Sequence, residues 1–297
     1  MDINTIKSTN PDVLYTKAIN YLNENDYNNY VICMTMSANL GNSDAIAHLD
    51  IDYINNGIYK KQDHLITKSF YEQTVEYGYS ANYLGYMYKH GEGVTQDYNK
   101  ARELYERAID KGNATAMYNL GYMYHYGEGV TQDCNIAMEL FENAIDKGNA
   151  DAMNNLGYIY HRGEGATQDY NKARELYERA IDKGHALAMN NLGNMYYSGK
   201  GVTQDYNKAR ELYERAIDKG NALAMNNLLS MYKTIKTFDK QQVIDYFIKI
   251  NSVDKLKEIY KYDDYDLNMI FEIKRLKNEN NLMKSHIESS PDGEQFN

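Results

Sequence analysis

The 297-residue chain has no tryptophan, two prolines and two cysteines. Pro11 and Pro291 stand near the two ends, so between them no ring breaks the backbone and no residue lacks an N–H. Long runs of helix are favoured. Cys33 and Cys134 lie about a hundred residues apart with no second cysteine near either, which indicates neither a disulfide framework nor a thiolate metal site. No stretch approaches the ~20 apolar residues of a membrane span, and the opening MDINTIKSTNPD has no apolar leader core. An intracellular, cytoplasmic protein without a membrane partner is expected. Positive charge is not in excess: 32 Lys and Arg against 42 Asp and Glu leave −10, with the two signs interspersed. A surface that tracks nucleic-acid phosphates is therefore not expected.

What is abundant is repetition. Gly85, Gly121, Gly157 and Gly193 recur every 36 residues. The string TQDYNKARELYERAIDKG occurs intact at 95–112, 167–184 and 203–220, and in the diverged form TQDCNIAMELFENAIDKG at 131–148. Within 113–148, Ala116, Leu120 and Tyr124 recur every four residues, while Ala137, Leu140, Phe141 and Ala144 fall at helical spacing. Each unit thus reads as a helix pair. Between the two stripes lies HYGEGVTQD, where Gly127 and Gly129 permit unusual backbone angles and Asp133 is placed to cap the second helix. Gly148 supplies the left-handed position that ends it. Gly121 lies inside the first helix, where glycine costs about 1 kcal/mol relative to alanine. Close approach of the second helix is the predicted compensation.

Fainter copies extend toward the N-terminus. GNSDAIAHLDIDY at 41–53 aligns without a gap on GNADAMNNLGYIY at 148–160, and DYNNYVICMTMSANLG at 26–41 fits a second helix. Seven helix pairs are expected, at about 11–41, 42–78, 79–112, 113–148, 149–184, 185–220 and 221–250. The corresponding organisation is an N-terminal arm (1–10), diverged repeats (11–78), the main array (79–250), a C-terminal helical cap or short coiled coil (251–288) and a disordered tail (289–297). In 267–287, Met269, Ile273, Leu276, Asn280, Met283 and Ile287 alternate in spacings of four and three. This heptad seam with one Asn suits either a helix that pairs two copies into a homodimer or one that caps the last repeat.

The pattern A-x-x-x-L-G-x-x-Y, then G-x-G-V-x-x-D, then K-A-x-x-x-Y-x-x-A, ending in K-G, resembles the Sel-1-like repeat of the tetratricopeptide superfamily, strongly over 79–232 and weakly over 11–78. Many family members carry Trp before the aromatic residue of the second helix, where this chain has Leu104, Leu140, Leu176 and Leu212. The resemblance implies an all-α fold, a right-handed α-solenoid of stacked helix-turn-helix repeats of about 36 residues. It also implies a non-enzymatic scaffold or adaptor that binds protein partners. Superposition on the tetratricopeptide pattern implies that positions equivalent to 115, 118, 122, 125 and 126 line a concave groove. Those positions differ between copies, whereas the second helices barely change. They hold Tyr79, Asn82, Tyr86, Lys89 and His90; Thr115, Tyr118, Tyr122, His125 and Tyr126; Asp151, Asn154, Tyr158, His161 and Arg162; and Leu187, Asn190, Asn194, Tyr197 and Ser198. The predicted partner-binding set is Tyr86, Lys89, Tyr118, Tyr122, His125, Asn154, Tyr158, His161, Asn190, Asn194 and Tyr197. Tyrosine offers large area with one polar handle, and Asn can bond an extended backbone, so the set suits a peptide or a partner's helix.

Chemical motifs give little. GEGVT resembles a phosphate loop, but no G-K-[ST] follows and it opens the second helix in each unit, so it reads as a turn. His125 and His161 are one repeat apart, a separation of ~10 Å on the scale of helix packing, too far to converge on one metal ion. Asp97, Asp133, Asp169 and Asp205 recur once per unit and read as caps. Arg102 with Glu106, and Glu103 with Arg107, are i,i+4 pairs on a solvated face. No catalytic set, metal site or cofactor is expected. Some cysteine-rich relatives are linked to β-lactam binding or hydrolysis, but they carry a cysteine pair in each unit, which this chain lacks.

Overall fold

A computed structural model describes residues 10–42, 44, 45, 64–235, 243, 246 and 250. The arm at 1–9, most of the first helix of the second pair, most of the second helix of the last pair, the heptad segment 267–287 and the tail at 289–297 lie outside the described residues. Within them are twelve α-helices and no strand. The chain divides into two compact units, 1–183 and 184–297.

The first unit holds α1 (Pro11–Asn23), α2 (Tyr27–Asn39), α3 (His64–Gln73), α4 (Gly78–His90), α5 (Tyr98–Asp110), α6 (Ala114–Tyr126), α7 (Cys134–Asp146), α8 (Ala150–Arg162) and α9 (Tyr170–Asp182). Tight antiparallel pairs form between α1 and α2, α4 and α5, α6 and α7, and α8 and α9, and successive pairs stack through α5 on α6 and α7 on α8. The second unit holds α10 (Ala186–Ser198), α11 (Tyr206–Asp218) and α12 (Ala222–Thr234), with α11 against both of the others. This is the all-α solenoid architecture, one helix pair per 36-residue repeat.

The loop between paired helices ends one helix and starts the next. Gly127 takes φ +71° at the end of α6, and the side chain of Gln132 donates to the carbonyl of His125 at 2.8 Å. Asp133 then accepts from the backbone N–H of Asn135 and Ile136 at 2.9 and 3.1 Å. Gln96, Gln168 and Gln204 repeat the first contact, and Asp97, Asp169 and Asp205 the second. GEGVTQD is therefore a capping turn whose orphan groups are satisfied internally. The first helices are capped too: Asn113, Asn149 and Asn221 accept from Ala116, Ala152 and Ala224.

Inside the four pairs from α4 to α11 the helices touch at a glycine. A Cβ on Gly85, Gly121, Gly157 or Gly193 would fall within 3.0 Å of the ring of Tyr105, Phe141, Tyr177 or Tyr213 respectively. The helix-weakening glycine makes room for the ring that fills the pair interface, as its position inside a helix suggested. Ala116, Leu120, Met123, Ala137, Phe141 and Ala144 are buried around that contact.

Candidate partner-binding face

Along the first helices of unit 1, the predicted residues fall into two layers. The inner layer staples one repeat to the next. Asn119 Nδ2 donates to Asn82 Oδ1 at 2.9 Å, and one repeat on, Asn155 Nδ2 donates to the hydroxyl of Tyr118 at 3.4 Å. In unit 2 the same register gives Asn227 Nδ2 to Asn190 Oδ1 at 2.7 Å. Asn154 and Asn190 are each only 3% exposed, and Tyr118 has its ring on Phe141 at 6.0 Å. Burial, then Asp151, pushes the Tyr118 phenol up. Asn154 and Asn190, expected to line the groove, are enclosed: Asn154 Nδ2 donates to Asn155 Oδ1 on its own helix, and Asn190 Oδ1 accepts from Asn227. Position 118 lies where Asn155 of the next first helix reaches the Tyr118 hydroxyl.

The outer layer is aromatic and charged. Tyr118, Tyr122 and Tyr126 lie one turn apart on α6, with ring centroids 6.2 and 4.4 Å apart. Lys89 of α4 places Nζ 4.4 Å above the Tyr122 ring and 2.9 Å from Glu128, so the loop of one repeat reaches the first helix of the repeat before it. On α8, Arg162 lies 6.0 Å from the Tyr158 ring and bonds Glu164 at 2.9 Å. Cations over tyrosine faces are attracted by the ring quadrupole. Tyr86 packs on His90 at 4.2 Å, and burial, with Glu92, pushes the Tyr86 phenol up to about 12. Tyr126 is 52% exposed and Tyr158 36%, the two most open rings of the face.

Several of the predicted residues are buried or turned inward. Lys89 and His125 are buried: Lys89 is held by Glu128, and His125 lies edge-on to Tyr126 at 4.5 Å with its pKa lowered by desolvation. His161 turns toward the second helix, against Tyr170 and Tyr177. In unit 2, Asn194 accepts from the Tyr213 hydroxyl at 2.7 Å, and Tyr197 packs on Tyr206. Glu128 and Glu164 belong to this face although the sequence pattern presents them only as turn residues. The signal available was their recurrence, 36 apart, in the loops that follow Tyr122 and Tyr158.

Among the described residues no group of three or more His, Cys, Asp or Glu could hold a metal ion. No described helix is long and apolar enough to cross a membrane. Four consecutive segments, 78–113, 114–149, 150–185 and 186–221, match the Sel1 repeat. Through them the chain belongs to the Sel1-repeat family. The solved Sel1 repeat protein from Oxalobacter formigenes is similar at 28% identity and a TM-score of 0.58, over 77% of this chain and 99% of that one. A protective antigen of uropathogenic Escherichia coli with an SLR fold is similar at 22% identity and a TM-score of 0.58. That likeness spans 93% of this chain and 63% of the antigen, and bears on the fold alone. No curated protein matches the sequence. Sel1 repeats generally mediate protein–protein interaction.

Proposed function

We propose that this Sel1-repeat chain is a non-enzymatic scaffold that holds a partner peptide or helix across the tyrosine-rich face of its first helices. The observation that carries this reading is the ring ladder of α6, in which Tyr122 and Tyr126 lie 4.4 Å apart and Tyr126 is half exposed. Such rings give broad contact at little entropic cost, and their hydroxyls find polar partners. Lys89 with Glu128 and Arg162 with Glu164 flank the rings and hold charge beside them. In unit 2, taken by itself, Asn194 and Tyr197 stand at the corresponding repeat positions.

Combined replacement of Tyr122, Tyr126 and Tyr158 by Ala is the test. Capture of protein partners from a lysate of the native cell should be lost while helicity is kept. A matched set of changes on the solvated side of the second helices, at Glu106, Glu142 and Glu178, should leave capture unchanged. Capture that survives the tyrosine changes removes this face as the binding surface.

A further inference from the structure

One step of the repeat shows how this face holds a cation supplied from within. Lys89 reaches from α4 to the next repeat, where its Nζ lies 4.4 Å above the Tyr122 ring and 2.9 Å from Glu128 Oε2. Its side chain is only 9% exposed. Ring face and carboxylate together replace the water that the ammonium gives up. These three positions form one register, and it recurs 36 residues on as 125, 158 and 164.

The ring and the carboxylate return there as Tyr158 and Glu164, but His125 stands in the place of Lys89. Histidine is shorter than lysine, and desolvation lowers its pKa more than Glu164 raises it, so near pH 7 it is neutral. Its ring turns edge-on to Tyr126 at 4.5 Å. Tyr158 and Glu164 are served instead by Arg162 of their own helix. Its guanidinium lies 6.0 Å from the Tyr158 ring, at the edge of cation–π range, and its side chain is 58% exposed. Arg162 Nε donates to Glu164 Oε1 at 2.9 Å, and a carboxylate has a second oxygen to accept with. Glu164 is 45% exposed, Tyr158 36% and Tyr126 52%, so these groups are open where Lys89 is enclosed. Burial pushes the Tyr126 phenol up, and Tyr122, Tyr158, Glu164 and Glu128 add to the rise. A field that opposes negative charge at that hydroxyl draws a cation.

We infer that the segment held on this face carries a lysine or arginine whose cation is received between Tyr126, Tyr158 and Glu164, as Lys89 is received by Tyr122 and Glu128 one repeat earlier. The assignment rests on the tyrosine face being the binding surface, and it names the chemistry of the partner there. A basic segment also complements a chain of net charge −10.

The probe is the peptide acetyl-Ala-Ala-Lys-Ala-Ala-amide, compared with its norleucine counterpart, which keeps the apolar stem without the charge. Each is titrated into the full chain and followed by saturation-transfer NMR on the peptide signals. The lysine peptide should bind, and the norleucine peptide should bind roughly fivefold or more weakly. His125→Lys supplies the cation from within, so it should weaken the lysine peptide by a similar factor with helicity retained. Glu164→Gln removes the exposed carboxylate and should do the same. Glu142→Gln, on the solvated side of α7, should change nothing. Should His125→Lys reduce helicity, Glu164→Gln decides. The assignment is overturned if the two peptides bind alike, if neither binds, or if binding ignores both substitutions. Equal binding of the two peptides, with capture still lost on the tyrosine replacements, overturns the cation alone and leaves the face standing. Capture that survives those replacements removes the face and the assignment with it.

Discussion

The side chain that Gly121 lacks is replaced in space by the ring of Phe141, whose Cε1 and Cδ1 lie 2.9 and 3.0 Å from where a Cβ would be. Ala137 O stands 3.2 Å from the same point, so backbone as well as ring closes the space. The contact recurs as Gly85 with Tyr105, Gly157 with Tyr177 and Gly193 with Tyr213, and it sets how closely the two helices of these four repeats approach.

Gly121→Ala is therefore expected to destabilise the protein, although alanine is the better helix former by about 1 kcal/mol. Overpacking against Phe141 and Ala137 should cost about 1–3 kcal/mol net, read from the urea midpoint. Phe141→Leu in the same chain should recover part of the loss, because it relieves the same contact. A stabilised Gly121→Ala protein would mean the helices separate freely.

The rings on the other side of this contact differ in one atom. The hydroxyls of Tyr105 and Tyr177 are buried without a hydrogen-bond partner, whereas Tyr213 donates to Asn194 at 2.7 Å. Removing an unsatisfied hydroxyl relieves a desolvation cost, and removing a bonded one loses a bond worth about 1 kcal/mol. Tyr105→Phe and Tyr177→Phe should be neutral or stabilising, as the natural Phe141 suggests, and Tyr213→Phe should lower stability by about 1 kcal/mol. Denaturant titration of the three single variants separates these outcomes.

The stack between repeats should show energetic coupling at the asparagine seam. Asn82 and Asn119 are both buried and bonded to each other at 2.9 Å. Either Ala substitution strands the other amide and should cost about 1–3 kcal/mol, while the double substitution should cost clearly less than the sum. Additive losses in a double-mutant cycle would show that the bond contributes nothing.

Alkali should weaken the fold before it reaches the ordinary tyrosine range. Burial pushes the Cys33 thiol from 9.0 up to about 11, and burial with Glu92 pushes the Tyr86 phenol from 10.0 up to about 12. The folded state thus holds protons that the unfolded chain releases. The stabilisation from Cys33 is complete below pH 9 and lost as pH rises from about 9 to 11, on the order of 2–3 kcal/mol. The loss from Tyr86 follows between about 10 and 12. The urea midpoint should fall from pH 8 to pH 11, and Cys33→Ala should flatten the first part of that fall.

The 36-residue period, the pairing of helices, the Asp caps and the small residue inside each first helix were legible in the sequence. All of these are local or strictly periodic: a cap acts within one turn, and a stripe of buried residues repeats at helical spacing. The outer aromatic positions, Tyr122 and Tyr158, were also visible, because they vary between otherwise similar copies.

Tertiary structure alone decided which variable residues are exposed. Asn154 and Tyr158 stand four residues apart on one helix, yet the first is enclosed and the second is open. Within each unit such enclosure comes from residues 37 apart, as Asn119 on Asn82 and Asn227 on Asn190, contacts that no single repeat encodes.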